Sequence, residues 1–225
     1  VHYMNVTPGK TYKVSGTLYE KVTDKDGKVT KKQLLDADGN PVTAETEFVP
    51  EDTYGTVDVT FAFDASDLKA KDKVVAFESL SLNGKELASH ADIEDKSQTV
   101  TITKPTLSTT AVDGLDADKN LIGEGDVTIV DTVKYKNVTP GKTYKVSGTL
   151  YEKVLDKNGK VTKKVFKDKD GTPVTAEANF TAEDSYGNVD VTFYFDGSSL
   201  KEGTSLVAFE SLSYNDNEIA SHADV

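Results

Sequence analysis

The chain has no cysteine, so disulfides, thiolate metal sites and a cysteine nucleophile are all excluded. Covalent stiffening, if the chain uses it, must come from other side chains. Basic residues are few: 26 Lys and Arg stand against 38 Asp and Glu, a net charge of −12 that argues against nucleic acid and anionic membrane surfaces as partners. There is no apolar run long enough to span a bilayer, and neither a signal peptide nor a sorting motif is visible within these residues. Long helical periodicity is lacking too.

What is present is a repeat. Residues 1–93 match residues 133–225 without a gap at an offset of 132, with about two-thirds of the pairs identical. A period this long is a domain-sized unit and not a solenoid repeat, which predicts two domains over 1–104 and 105–225, with Lys104-Pro105-Thr106 as the linker. Short alternating segments at Thr11–Tyr19, Val57–Phe63 and Val189–Phe195 are separated by turn signals at Asp24–Gly27, Asp36–Gly39 and Asp168–Gly171. These turns resemble calcium loops but lack the closing acid of an EF-hand, so they are read as hairpin turns and no metal is assigned. The predicted fold class is all-β: two tandem Ig-like antiparallel β-sandwich domains.

Strand parity nominates inward polar residues, because alternate side chains share a face. Glu210 falls on the face of Leu206, Ala208 and Leu212, and Glu78 on the face of Val74, Ala76 and Leu80. Asp131 aligns with Ile129, Val133 and Tyr135; Thr109 aligns with Leu107 and Ala111; Gln98 aligns with Val100 and Ile102 in a strand over Ser97–Thr103. His90 and His222 lie nearby in sequence. Buried carboxyls are costly unless paired or protonated. Parity leaves two readings: a hydrogen-bonded network that fixes strand register, or a hydroxyl nucleophile, a base and an amide carbonyl assembled in a dry site.

The Val-Ala-Phe-Glu segments at 75–78 and 207–210, the Ser-His-Ala-Asp segments at 89–92 and 221–224, and Gln98-Thr99-Val100 eight residues beyond His90 resemble the VaFE repeats. These are also called T-Q ester-bond domains, from surface adhesins of Gram-positive bacteria. The resemblance covers essentially the whole chain. It implies an autocatalytic intramolecular ester between a first-strand Thr and a last-strand Gln, formed with loss of ammonia and helped by His, Glu and Asp. Thr109 then matches the nucleophile, Asp131 and Glu210 the acidic pair and His222 the histidine of the second repeat. Glu78, His90 and Gln98 are the matches in the first. By the offset, the first repeat's Thr and Asp would precede Val1 and the second repeat's Gln would follow Val225, so each repeat holds part of the set.

The function implied is a structural stalk repeat of a secreted, cell-wall-anchored adhesin, with no turnover enzyme activity and no cofactor. Its partners would be the neighbouring repeats of the same chain, with a host surface ligand met through other domains and no membrane insertion in this segment. An alternative is a module that itself binds a host protein or glycan, against which the aromatics form no evident exposed cluster. A hydrolase built on Ser89-His90 or Ser221-His222 is disfavoured, because sequence neighbours on a strand face opposite ways. His2, replaced by Lys134 in the other copy, reads as a surface residue.

Overall fold

The computed structural model describes residues 1–224. They divide into two compact units, the first ending at Thr103 and the second beginning at Lys104. Strands carry nearly all the regular structure; one 3-10 turn, Gly197–Ser199, is the only helical element among the described residues.

In the second unit the strands are β9 (Thr106–Asp113), β10 (Asp126–Lys136), β11 (Thr143–Leu155), β12 (Val161–Val165), β13 (Thr175–Thr181), β14 (Tyr186–Asp196), β15 (Leu206–Tyr214) and β16 (Asn217–His222). One sheet has the order β14-β10-β9; the other runs β12-β11-β15-β16, with β13 pairing the first half of β11 on the edge where β12 pairs the second half. All these pairings are antiparallel. The alternating burial of β10 and β11 puts Val127, Ile129, Val133 and Tyr135 opposite Tyr144, Val146 and Leu150, a two-sheet core. Gly148 has a structural reason: a Cβ there would lie 2.6 Å from the Phe193 ring of the facing sheet.

The first unit repeats the larger sheet. Its strands are β1 (His2–Met4), β2 (Tyr12–Thr23), β3 (Val29–Gln33), β4 (Thr43–Phe48), β5 (Tyr54–Thr56), β6 (Lys73–Leu82), β7 (Lys85–His90) and β8 (Thr99–Thr101). The sheet order is β3-β2-β6-β7, with β4 on β2 and β8 on β6; β1 and β5 form a separate pair. The turns at Asp24–Gly27 and Asp36–Gly39 are hairpin turns, with Asp24 and Asp36 carboxylates accepting from backbone N–H groups two and four residues on. Their glycines sit at φ of 80° and 82°, a left-handed conformation that only glycine adopts freely.

Two strand expectations need correction. Val57–Phe63 is not a strand: regular pairing stops at Thr56. Its counterpart Val189–Phe195 pairs with Val127–Val133; of that partner strand only Val133 has a counterpart here, Val1, which exchanges backbone hydrogen bonds with Val57, and 58–63 runs extended without a ladder partner. It still packs over the sheet, with Phe61 against Gly16 as Phe193 lies against Gly148. The strand over Ser97–Thr103 shrinks to Thr99–Thr101. Val100 does stand opposite Val74, as inward parity requires, but is 64% exposed because no second sheet covers it.

Candidate functional site

The local fold brings one Glu–His pair to the same place in each unit. Glu78 stands directly opposite His90 across β6 and β7, and Glu210 opposite His222 across β15 and β16. Directly opposed residues share a face and touch. The adjoining serines, Ser89 and Ser221, pair with Ser79 and Ser211 on the other face, which removes the Ser-His dyad.

In the second unit Asp131 reaches this pair from the facing sheet. Asp131 is 0% exposed and Glu210 2%, and none of their four carboxylate oxygens meets an N–H donor. Burial first, and then the adjoining Asp131 as hydrogen-bond partner and like charge, push the Glu210 carboxyl up to about 10, while the Thr109 hydroxyl pulls the other way. A Glu210 carboxyl that keeps its proton can donate to its neighbour, which lets the two groups lie together in the core without a counter-charge. Thr109, inward on β9, places its Oγ1 3.5 Å from Nδ1 of His222. The far ring nitrogen, Nε2, is 3.6 Å from the exposed Asp224 carboxylate.

The first unit shows the complementary half. The Gln98 side-chain amide donates from Nε2 to Oε2 of Glu78, while its carbonyl oxygen Oε1 is buried without a donor. The Gln98 backbone carbonyl accepts from Ala76 N, which docks the segment beside β6. Burial raises the Glu78 carboxyl, an effect opposed by His90. His90 is half exposed and turns Nε2 to Asp95 Oδ2 at 2.8 Å. Asp95 is itself fixed by the backbone N–H and hydroxyl of Ser97, each at 2.7 Å, and these bonds hold its carboxyl below the usual range.

The structure thus joins Thr109, His222, Asp131 and Glu210 in one unit, and Gln98, Glu78 and His90 around a shared carboxyl in the other. Asp95 is a residue that sequence reasoning missed. Its signal was weak: an acid in the loop between His90 and Gln98, with nothing in the spacing to say that it folds back on the ring. Nor did sequence reveal the outer-face aromatics: Tyr19 and Phe77 pair at 4.7 Å beneath Lys31, and Tyr151 and Phe209 pair at 4.7 Å beneath Lys163. A lysine covers each pair and none of the four rings is exposed, so neither forms an exposed aromatic cluster. Asp113, Asp116 and Asp118 are the one acidic group among the described residues close enough to share a cation. Each already accepts a backbone N–H in its own turn.

Beside Thr109 and His222 opens a cleft of about 900 Å³, lined by β9, by Ser205 and by the start of β15, Leu206–Ala208. The β9–β10 loop, Lys119 to Glu124, and residues Leu200 to Thr204 also line it.

Comparison with known proteins gives a family that matches along the chain twice, the T-Q ester bond containing domain, over residues 1–102 and 105–225. No functionally curated protein matches. Among solved structures, the chain is similar to a bacterial adhesin from Mobiluncus mulieris containing intramolecular disulfide, isopeptide and ester bond cross-links, in two crystal forms. The identities are 22% and 20% and the TM-scores 0.39 and 0.38, with 54% of each chain covered. The chain therefore spans about half the length of that adhesin structure. A biofilm associated protein B domain matches at 12% identity and a TM-score of 0.18, covering 98% of this chain and 78% of that one.

Proposed function

Since this chain belongs to the T-Q ester bond containing domain family, we propose that its two units are stalk repeats of a cell-surface adhesin, each clamped by a Thr–Gln ester between its first and last strands. The observation that carries this reading is the common Glu–His pair. Thr109 approaches it in one repeat and Gln98 in the other, so the two half-sites describe the two reactants of one bond.

Thr hydroxyl is a poor nucleophile until a base takes its proton. Asp95 on Nε2 fixes the histidine tautomer that leaves Nδ1 with its lone pair, the nitrogen that faces Thr109 in the other repeat. Thr Oγ1 attacks the Gln side-chain carbonyl carbon and its proton passes to Nδ1. The protonated Glu donates to the developing oxyanion, the C–N bond breaks, and the imidazolium returns the proton to the nitrogen, which leaves as ammonia. The products are one ester and one ammonia for each repeat, a single event and not turnover. Gln98 and Thr109 belong to different bonds, despite lying eleven residues apart.

A cross-link over more than a hundred residues adds on the order of 4–5 kcal/mol by loop-closure entropy. Resistance to pulling and proteolysis gains more, because a covalent clamp replaces a sheet edge. Such a role places the units outside the cell, with neighbouring repeats as partners.

The test supplies the second reactant. A synthetic peptide with the sequence of residues 95–103, added to the full chain, should yield an adduct at Thr109 lighter than the sum by one ammonia, read by intact mass and peptide sequencing. Thr109→Ala should abolish it. An adduct at another residue, or one formed without loss of ammonia, would refute the mechanism.

A further inference from the structure

Glu152 and Lys164 stand directly opposite each other where β12 pairs β11, on the far side of β15 from β16. Their counterparts at the offset of 132, Glu20 and Lys32, form an ion pair at 3.2 Å. In the second unit these two side chains make no ion pair with each other, and a pocket of about 250 Å³ opens beside them. The buried Phe166 ring, Lys167, Lys201 and Thr204 complete its lining.

Two substitutions set the charge of this pocket apart from the same place in the first repeat. Where the second unit has Lys167 and Thr204, the first has Leu35 and Asp72. The first unit therefore balances Glu20 and Asp72 against Lys32 and Lys69. The second sets Glu152 alone against Lys164, Lys167 and Lys201, a local excess of positive charge in a chain whose net charge is −12. All three lysines are exposed, and none is in an ion pair among the described residues. Ammonium groups gathered in this way repel one another until an anion lies among them. The backbone is the same in both repeats. Lys167 bridges Pro173 as Leu35 bridges Pro41, and Thr204 Oγ1 accepts from Lys201 N at 3.3 Å as Asp72 Oδ2 accepts from Lys69 N at 2.7 Å. The substitutions thus alter charge within one local fold.

We propose that this pocket of the second repeat binds a sugar through its sulfate or phosphate ester, a function that rests on neither the ester cross-link nor the stalk reading. Lysine suits a tetrahedral oxyanion, because its ammonium is a point charge with three donors and needs no planar partner. The volume lies just under the ~300 Å³ at which small-molecule sites begin, more than a lone oxyanion fills and enough for a sugar ring beside it. Glu152 and the Thr204 hydroxyl offer acceptors to the hydroxyls of that ring. Glu152 also disfavours a second anionic group close to the first.

The test follows backbone amide shifts of the isotope-labelled full chain. Glucose 6-sulfate, glucose 6-phosphate, glucose and inorganic sulfate are each added to about 10 mM, enough to detect millimolar affinity. At least one of the two sugar esters should shift the amides of Lys164–Lys167 and Lys201–Thr204 and leave those of Lys32–Leu35 and Lys69–Asp72 in place; the tighter of the two names the source of the oxyanion. Glucose and inorganic sulfate should each bind at least about tenfold more weakly than that ester. The double variant Lys167→Leu with Thr204→Asp, which gives the pocket the first repeat's residues, should lose at least about tenfold in affinity. Lys164→Gln, a change confined to one exposed side chain, should weaken binding in the same direction and decides the matter if the double variant does not fold. Absence of shifts with both esters would overturn the proposal, as would equal shifts in the two repeats or unchanged affinity in the variants. Inorganic sulfate binding as tightly as the esters would overturn it too, since the pocket would then read charge alone.

Discussion

Asp131 and Glu210 come from opposite sheets to one point in the core of the second unit, where burial and the neighbouring Asp131 hold the Glu210 carboxyl far above the usual carboxylate range. In an unfolded chain Glu210 ionises near 4.5, whereas in the fold it keeps its proton up to about 10. A raised pKa contributes fully below the unfolded value and loses that contribution as pH rises toward the folded one. Between pH 5 and 10 the second unit should therefore lose stability, by at most about 1.4 kcal/mol for each pH unit from this group. Glu210→Gln keeps the donor to Asp131 and removes the titration. Its thermal midpoint should vary less with pH than that of the wild type, and parallel curves would show that the proton lies elsewhere.

The role of Asp95 is separable from folding because it can be varied on the peptide. Against the wild-type chain, the 95–103 peptide with Asp95→Asn should bind Thr109 chains as the native peptide does but react more slowly, by roughly two orders of magnitude or more. The loss arises because the ring is no longer held in the tautomer that serves Thr109 and the imidazolium loses its counter-charge. Unchanged ammonia release would make Asp95 a turn residue only.

Much of this site was legible because a strand's period of two assigns each side chain to a face without knowledge of the fold. Glu210, Asp131, Thr109 and Glu78 all face inward as alternation requires. What alternation does not contain is the facing layer. Val100 has inward parity and lies open, and Val57–Phe63 has strand periodicity without a ladder, because both depend on a sheet contributed by residues far away in sequence. His90 illustrates the same limit: parity gives its face, but only the folded loop brings Asp95 onto its ring.

Gly148→Ala and Gly16→Ala are chemically the same change at equivalent positions, yet they should differ in cost. The new methyl meets Phe193 in the first case and Phe61 in the second. Phe193 is held in a strand paired to β10, so the clash must be absorbed by the core, at about 1–3 kcal/mol. Phe61 sits on an extended segment without ladder bonds and can move away. Denaturant unfolding with a probe in each unit should show the larger loss for Gly148→Ala; equal losses would mean that 57–63 is held as firmly as β14.

The last expectation follows from that segment directly. Val189–Phe195 lies within β14, whose whole length is laddered to β10, and its inward residues Val191 and Phe193 are wholly buried. The near-identical residues 58–63 have no such ladder, although Thr46 Oγ1 donates to the Asp58 carbonyl and Phe61 packs over Gly16. Amide exchange reports hydrogen bonding and local opening, not sequence, so the two copies should separate strongly. Peptides covering 58–63 should exchange orders of magnitude faster than those covering 190–195. A peptide with the sequence of residues 106–136, which carries the β9–β10 pair, should slow exchange in 58–63 by restoring the ladder. If exchange there is already slow in the free chain, or if the added strands leave it unchanged, the segment is stabilised by its side chains alone and the strand-pairing account of the first unit fails.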